Sequence, residues 1–233
     1  MSLLSVVQAV TGLLSLPTPA AVAGSTDRQV VQLMAIANEE GLSLARRHAW
    51  QALTEEASFV TVNANVQTAT PIPADFDRFI PNSFFNRTTR RPLTGPISPR
   101  EWQWIQAQPV YSTVYLAFRE RTGQFLVAPA PPAGQAVYYE YVSRNWAHSA
   151  GGVPQGGYLA DTDVAFLDEA LVQQGVRWRF LKSKGLDYAE DFASYELAVE
   201  QAMARDGGAS MLSLSPQPVD LNRVNLPDGS FGV

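Results

Sequence analysis

The side chains best able to do chemistry are few and scattered. There are two histidines, His48 and His148, far apart in the chain, and no cysteine. A metal centre or a nucleophile–base pair needs several such groups converging on one point. His48 follows Arg46 and Arg47 and precedes Trp50 at the end of a helical pattern, so it reads as a structural or capping residue. Without cysteine, disulfides, thiol catalysis and cysteine-ligated metals are excluded within this chain. No HExxH, phosphate loop, GxGxxG or GxSxG pattern occurs. Gly151-Gly152 and Gly156-Gly157 bracket Val-Pro-Gln and lack the Lys and Ser/Thr that phosphate binding needs, so they read as a loop. The carboxylate pairs Asp161/Asp163 and Glu190/Asp191 sit where helix starts are expected, and capping explains them. A glycosidase pair would have to face across a cleft, and no spacing here points to one. Catalytic residues, cofactors and metal ions are therefore not expected.

The densest charge feature is the run Asn86-Arg87-Thr88-Thr89-Arg90-Arg91. Arg87, Arg90 and Arg91 suit three kinds of setting. They can meet phosphates, they can fork onto carboxylates of a neighbouring subunit, or they can form a solvated strand or loop. The chain as a whole has a formal net charge of −5, so it is not an electrostatic nucleic-acid binder overall. Trp102 and Trp104 lie two apart on a short helical pattern. One faces inward and the other outward by that spacing, and an outward Trp is an interface candidate. Asn86-Arg87-Thr88 also has sequon spacing, read as chance.

The elements that position these residues follow from periodicity and punctuation. The 233 residues are 46% hydrophobic and 17% charged, enough for one large or two small domains with a true core. An apolar helix is expected from about Leu3 to Leu14, with Leu3, Val7, Val10 and Leu14 inward, ended by Pro17 and Pro19. No Lys or Arg precedes Arg28, and the apolar run is short, so neither a signal peptide nor a membrane span fits. Ser25, Thr26 and Asp27 cap a second helix that reaches about Arg47, with Val30, Leu33, Met34, Ala37, Leu44 and Ala45 on one side. Glu39, Glu40 and Arg46 are placed on its solvated or partner-facing side.

The middle of the chain is β-rich. Strand candidates are Phe59 to Val62, Val114 to Phe118, Gln124 to Ala128 and Ala136 to Val142, with a hairpin-like link from Arg119 to Gly123. Ser98 and Pro99 start a short helix that carries Trp102 and Ile105. A loop follows from Asn145 to Gly157. The stretch from Asp161 to Gly208 then reads as an αα-hairpin. Its first helix runs from acidic (Asp161, Asp163, Asp168, Glu169) to basic (Arg177, Arg179, Lys182, Lys184), matching the partial charges at helix ends. Gly185 is the left-handed stop, and Asp187 with Glu190 has capping-box spacing. Tyr188, Phe192, Tyr195, Val199 and Met203 form the apolar face of its second helix.

Helices at both ends with strands between predict an α+β fold: a discontinuous helical bundle from residues 1–53 and 161–208, a β-rich insertion at 54–160, and an extended C-terminal arm at 209–233. The arm mixes Gly, Ser and Pro with Met211, Leu212, Leu214, Val219, Leu221, Val224, Leu226 and Phe231. A purely disordered tail is poorer in large apolar residues, so the arm is expected to dock, either on a partner or around its own body.

Three stretches carry a family resemblance: STDRQVVQLMAIANEEGLSLARRHAWQAL at residues 25–53, ADFDRFIPNSFFNRTTRRPLTGPISPREW at 74–102, and KGLDYAEDFASYELAVEQAMARDGG at 184–208. In this order they resemble tailed-bacteriophage adaptor proteins, the head-to-tail connectors of the neck. The resemblance extends over about residues 1–208, and the plan is more distantly similar to the tail tubular protein A of short-tailed phages. It implies a structural virion protein without enzymatic activity, placed at the head–tail interface after assembly in the bacterial host cytoplasm. It implies a homo-oligomeric, twelve-fold ring closed by head-to-tail contacts, which docks on the portal protein and offers a platform to a tail or tail-terminator protein. It implies further that viral DNA passes through the channel without sequence-specific binding and that no membrane partner is expected. Carried onto this sequence, the eight apolar arm residues become portal-docking candidates; Arg87, Arg90, Arg91, Trp102 and Trp104, from their own charge and spacing, are the candidates for contacts between subunits or with a partner. The alternative reading is a nucleic-acid-binding module that uses the basic run at residues 87–91. A hydrolase using loop carboxylates is the least supported by the residues.

Overall fold

The computed structural model describes residues 2–67, 72–107 and 116–207. The protein is a mixed α+β structure with five α-helices among the described residues. In chain order they are α1 (Leu3–Leu13), α2 (Arg28–Arg47), α3 (Pro99–Ala107), α4 (Glu169–Ser183) and α5 (Ala189–Asp206). The strands are β1 (Thr54–Val60), β2 (Val66–Gln67), β3 (Phe76–Phe79), β4 (Phe85–Asn86), β5 (Arg91–Thr94), β6 (Leu116–Arg121), β7 (Gln124–Ala128), β8 (Ala136–Ser143), β9 (Ala147–His148), β10 (Pro154–Gln155) and β11 (Val164–Ala165).

The helix ends follow the expected chemistry closely. Asp27 caps α2, its carboxylate accepting from Gln29 N at 2.7 Å. Ser98 and Glu101 form a reciprocal capping box on α3, at 3.2 and 2.8 Å. The α4–α5 turn is a Schellman closure: Leu186 N donates to Leu181 O and Gly185 N to Lys182 O, with Gly185 at φ 69°. Asp187 then accepts from Ala189 N at 3.1 Å, but the N-cap of α5 is Tyr188, without a side-chain cap bond, so the expected Asp187–Glu190 capping box does not form. Two positions differ from the sequence reading. α4 starts at Glu169 behind an Asp168 cap, so Asp161 and Asp163 precede it and hold the chain's beginning instead. Their backbone oxygens accept from Leu4 N and Leu3 N, and the Asp161 carboxylate accepts from Val22 N and Ala23 N. The first N–H groups of α1, which have no partner within the helix, are thus satisfied from a segment remote in sequence.

The larger sheet has eight strands in the order β1-β8-β4-β5-β6-β7-β2, with β3 also pairing β8. All pairs are antiparallel except β5 with β6, and the connection between those two carries α3, as a parallel pair requires a crossover. The β6–β7 hairpin turns on Thr122 and Gly123, both in the left-handed region at φ 55° and 71°, the geometry of a type I′ turn. Strand alternation sorts side chains to two faces. Phe118, Phe125 and Val127 join Phe59, Phe84, Val137 and Tyr139 in an aromatic core on one face. Ala117, Leu126 and Ala128 lie on the other face with Trp102 and Ile105 of α3. Contributions from β1, β5, β6, β7 and β8 to one cluster require the sheet to curl around it. Phe84 lies face to face with Tyr139, centroids 4.7 Å apart and planes within 5°. A three-stranded sheet, β10-β9-β11, takes β9 and β10 from the segment that reads as loop and β11 from the start of the stretch that reads as the first helix of the hairpin.

A separate hydrophobic core draws residues from α1, α2, α4 and α5, and from the chain around Trp146, Tyr158 and Leu167. Trp146 is fully buried and packs on Gly41 of α2, where an added Cβ would fall 2.3 Å from the indole ring. Only glycine allows that approach.

Candidate functional site

The feature that joins the helices is a charged group in the core. Glu40 has no exposed surface, which corrects its assignment to the solvated side of α2. It lies one turn from Ile36 and from Leu44, both buried, so it occupies the apolar stripe itself. Its Oε2 accepts from Arg179 Nε of α4 at 2.5 Å, and its Oε1 accepts from the Tyr195 hydroxyl of α5. Arg179 also reaches Glu39, Nη1 to Oε1 at 2.7 Å. Burial, followed by the bond to Glu40, pushes the Tyr195 hydroxyl far above the usual tyrosine range. Next to it, Arg47 of α2 forks onto Glu196 of α5 at 2.9 and 2.7 Å, and this bond raises the guanidinium's pKa. The three helices are thereby fixed in register by directional contacts, not by apolar area alone.

The end of α5 is tied down as well. Asp206, in its last turn, accepts from Gln51 N at 2.9 Å, and its Oδ2 lies 3.4 Å from His48 Nε2. The His48 ring meets Trp50 edge-on at 5.1 Å. His48 thus has the structural role that its sequence context implies. His148 has partners of its own, with Nδ1 2.9 Å from Ser149 O and the ring against Phe166. No group of three or more potential metal ligands occurs among the described residues.

The basic run forms the turn between β4 and β5. Buried Asn86 shapes it: its side-chain oxygen accepts from Thr88 N and Thr89 N, both at 3.0 Å, while its amide donates to Gln135 at 2.7 Å. Arg90 follows in the left-handed region at φ 55°. Arg87, Arg90 and Arg91 are all exposed. Arg87 pairs with Glu56 of β1 and stacks over the Tyr138 ring, 3.5 Å from its centroid. It is therefore partly engaged within its own sheet. The two tryptophans divide as their spacing predicts. Trp102 is buried under α3, and Trp104 is 60% exposed on its outer side. The arm residues Met211, Leu212, Leu214, Val219, Leu221, Val224, Leu226 and Phe231 lie outside the described residues.

The structure thus brings together groups that sequence reasoning left apart. Glu40, Arg179 and Tyr195 meet from three helices, and His48 and Asp206 meet at the root of the arm. A signal for the first was present, since Glu40 falls on the helical period of Ile36 and Leu44. The partner of Asp206 had no local signal. No described helix is long and apolar enough to cross a membrane.

No curated protein matches the chain. The sequence model of the SU10 adaptor protein family matches residues 1–220 of the 233, almost the whole chain. The protein belongs to that family, a phage head-to-tail adaptor family, and is a structural component of the virion.

Proposed function

We propose that this protein forms a ring beneath the portal, twelve-fold by the closure such connectors use, and carries the DNA channel from the head towards the tail. The observation that carries the reading is the family match across residues 1–220. The protomer falls into three functional parts: a helical unit from residues 1–53 and 161–208, a β-rich insertion at 54–160, and the arm at 209–233. The arm docks on the portal through its apolar residues, and the opposite end of the ring receives the tail or its terminator. Exposed Arg87, Arg90, Arg91 and Trp104 face the neighbouring subunit or a partner, where guanidinium groups suit bidentate carboxylate pairs. Formal charge of −5 favours DNA passage without adhesion to the wall.

The Glu40 network and the helical core are built from residues of α1, α2, α4 and α5 and the chain around Trp146, all before residue 208. Ending the chain after Gly208 is therefore expected to leave a folded protomer that no longer joins portal-containing heads. Portal binding by the shortened chain at the full-length level would overturn the arm assignment. The mass of the assembly on the portal, measured directly, tests the twelve-fold ring.

A further inference from the structure

A groove opens where three helices meet. Its volume is about 310 Å³, and it lies between the end of α2, the start of α4 and the end of α5. Leu44, Trp50, Leu171 and Ala202, all buried, form its floor, and the exposed residues Ala52 and Phe166 stand at its mouth. Three polar residues stand at the rim. Asp168 caps α4 through Ala170 N, Asp206 holds Gln51 N and His48, and exposed Arg205 donates from Nε to Gln201 O of its own helix at 3.3 Å. The rest is apolar surface at the small end of the range for ligand cavities, and one guanidinium at the rim is not a convergent set of polar groups that would orient a polar metabolite.

The chain itself supplies a matching segment. The described chain ends at Gly207, one residue beyond Asp206, which lines the groove. From 208 to 219 the sequence is GASMLSLSPQPV, with no charged residue. Its first large apolar side chains, Met211, Leu212 and Leu214, come four to seven residues after Gly207. At roughly 3.4 Å per extended residue, four residues span about 14 Å, comparable with the width of a helix. Gly208 supplies the conformational freedom to reverse direction at the end of α5. The Asp206 contacts with His48 and Gln51 hold the point of departure against the wall of the groove.

We propose that Met211, Leu212 and Leu214 seat in this groove of their own protomer. Of the eight apolar arm residues, these three serve the chain's own body. The five from Val219 to Phe231 then leave in a fixed direction. This assignment stands independently of what the distal arm binds.

The absence of native cysteine gives a clean test on the full-length chain. Two double variants are compared under mild oxidation: A52C with L212C, and Q201C with L212C. Ala52 lines the groove. Gln201 is an exposed residue of α5 outside it, also close to the start of the arm. The expected result is loss of both free thiols in A52C/L212C as an intramolecular disulfide in a monomeric species, while Q201C/L212C keeps its thiols. Equal closure of both pairs would mean that the segment ranges freely, and no closure of either would place it elsewhere. Disulfide dimers of A52C/L212C would assign the groove to a second copy's arm. Each of these three outcomes overturns the proposal. Portal binding is not part of the readout, so failure here is separate from failure of the portal reading.

Discussion

The Tyr195 hydroxyl of α5 donates to the Glu40 carboxylate of α2, and both residues are without exposed surface. Arg179 of α4 supplies the counter-charge, Nε to Oε2 at 2.5 Å. A buried ion pair contributes little to net stability because desolvation offsets the attraction, but removal of one partner leaves an uncompensated charge. Glu40→Ala leaves Arg179, whose side chain is 17% exposed, with Glu39 as its remaining carboxylate partner, and takes away the acceptor of the buried Tyr195 hydroxyl. Its expected cost is up to about 3–5 kcal/mol, read as a fall in the urea midpoint. Tyr195→Phe keeps the pair and loses one bond to a charged group, costing roughly 1.5–3 kcal/mol. Equal midpoints for wild type and Glu40→Ala would remove the network from the account of the fold.

The same carboxylate restricts its neighbour on α4. A Cβ added at Gly175 would lie 2.2 Å from the Glu40 carboxyl carbon and 2.3 Å from its Oε1. Alanine has the better helix propensity, by about 1 kcal/mol, so Gly175→Ala would stabilise an unobstructed helix. Here overpacking outweighs that gain, at about 1–3 kcal/mol or more, because Glu40 cannot withdraw without losing Arg179 and Tyr195. The expected outcome is net destabilisation, and a rise in the thermal midpoint would contradict the packing described.

What was legible in the sequence was local. Asp27, the Ser98–Glu101 box and Gly185 mark helix ends with their own side chains or backbone, so α2, α3 and the α4–α5 turn could be placed from short stretches. The β6–β7 hairpin was legible in the same way, although its turn is two residues and not the longer link expected. What depended on distant partners was hidden. Glu40 falls on the period of Ile36 and Leu44, but a carboxylate there makes sense only once Arg179, 139 positions away, is brought against it. Asp161 reads as a helix start until the turn at Val22 and Ala23 arrives to use its carboxylate. The short strands β3, β4 and β5 carry too few residues to show alternation, and only pairing with β8 and β6 defines them. For the candidate contacts, spacing alone separated Trp102 from Trp104. The engagement of Arg87 with Glu56 and Tyr138 required the sheet.

That engagement makes Arg87 informative. Both partners in the Arg87–Glu56 pair are about half exposed, at 51% and 49%, and such pairs contribute about 0–1 kcal/mol. Arg87→Ala is therefore expected to leave the protomer's urea midpoint nearly unchanged. A subunit-contact role predicts reduced ring formation on the portal by the triple variant R87A/R90A/R91A, with folding intact. A nucleic-acid role predicts instead that the wild type binds DNA at low salt, with affinity falling steeply as salt rises. Normal ring formation by the triple variant would remove these arginines from the interface.

Four buried tyrosines among the described residues set an alkaline limit. Burial pushes Tyr139 up to about 12. It raises Tyr141 and Tyr158 further, helped at Tyr141 by its bond to Glu55 and at Tyr158 by the charge of Asp163. Tyr195 is raised by burial and by Glu40. In each case the folded state keeps its proton after the unfolded chain, with a tyrosine pKa of about 10, has begun to release it. The unfolded state then binds fewer protons than the native state, so stability falls as pH rises. The contribution is fully present below about pH 10 and is lost progressively as pH climbs towards the folded values. Denaturant midpoints are expected to show no tyrosine-linked change up to about pH 9.5 and a steep decline above about 10. Tyr195→Phe should make that decline shallower, because one of the four linked protons is gone. An unchanged alkaline slope in that variant would show that Tyr195 titrates in the folded protein as it does in the unfolded one.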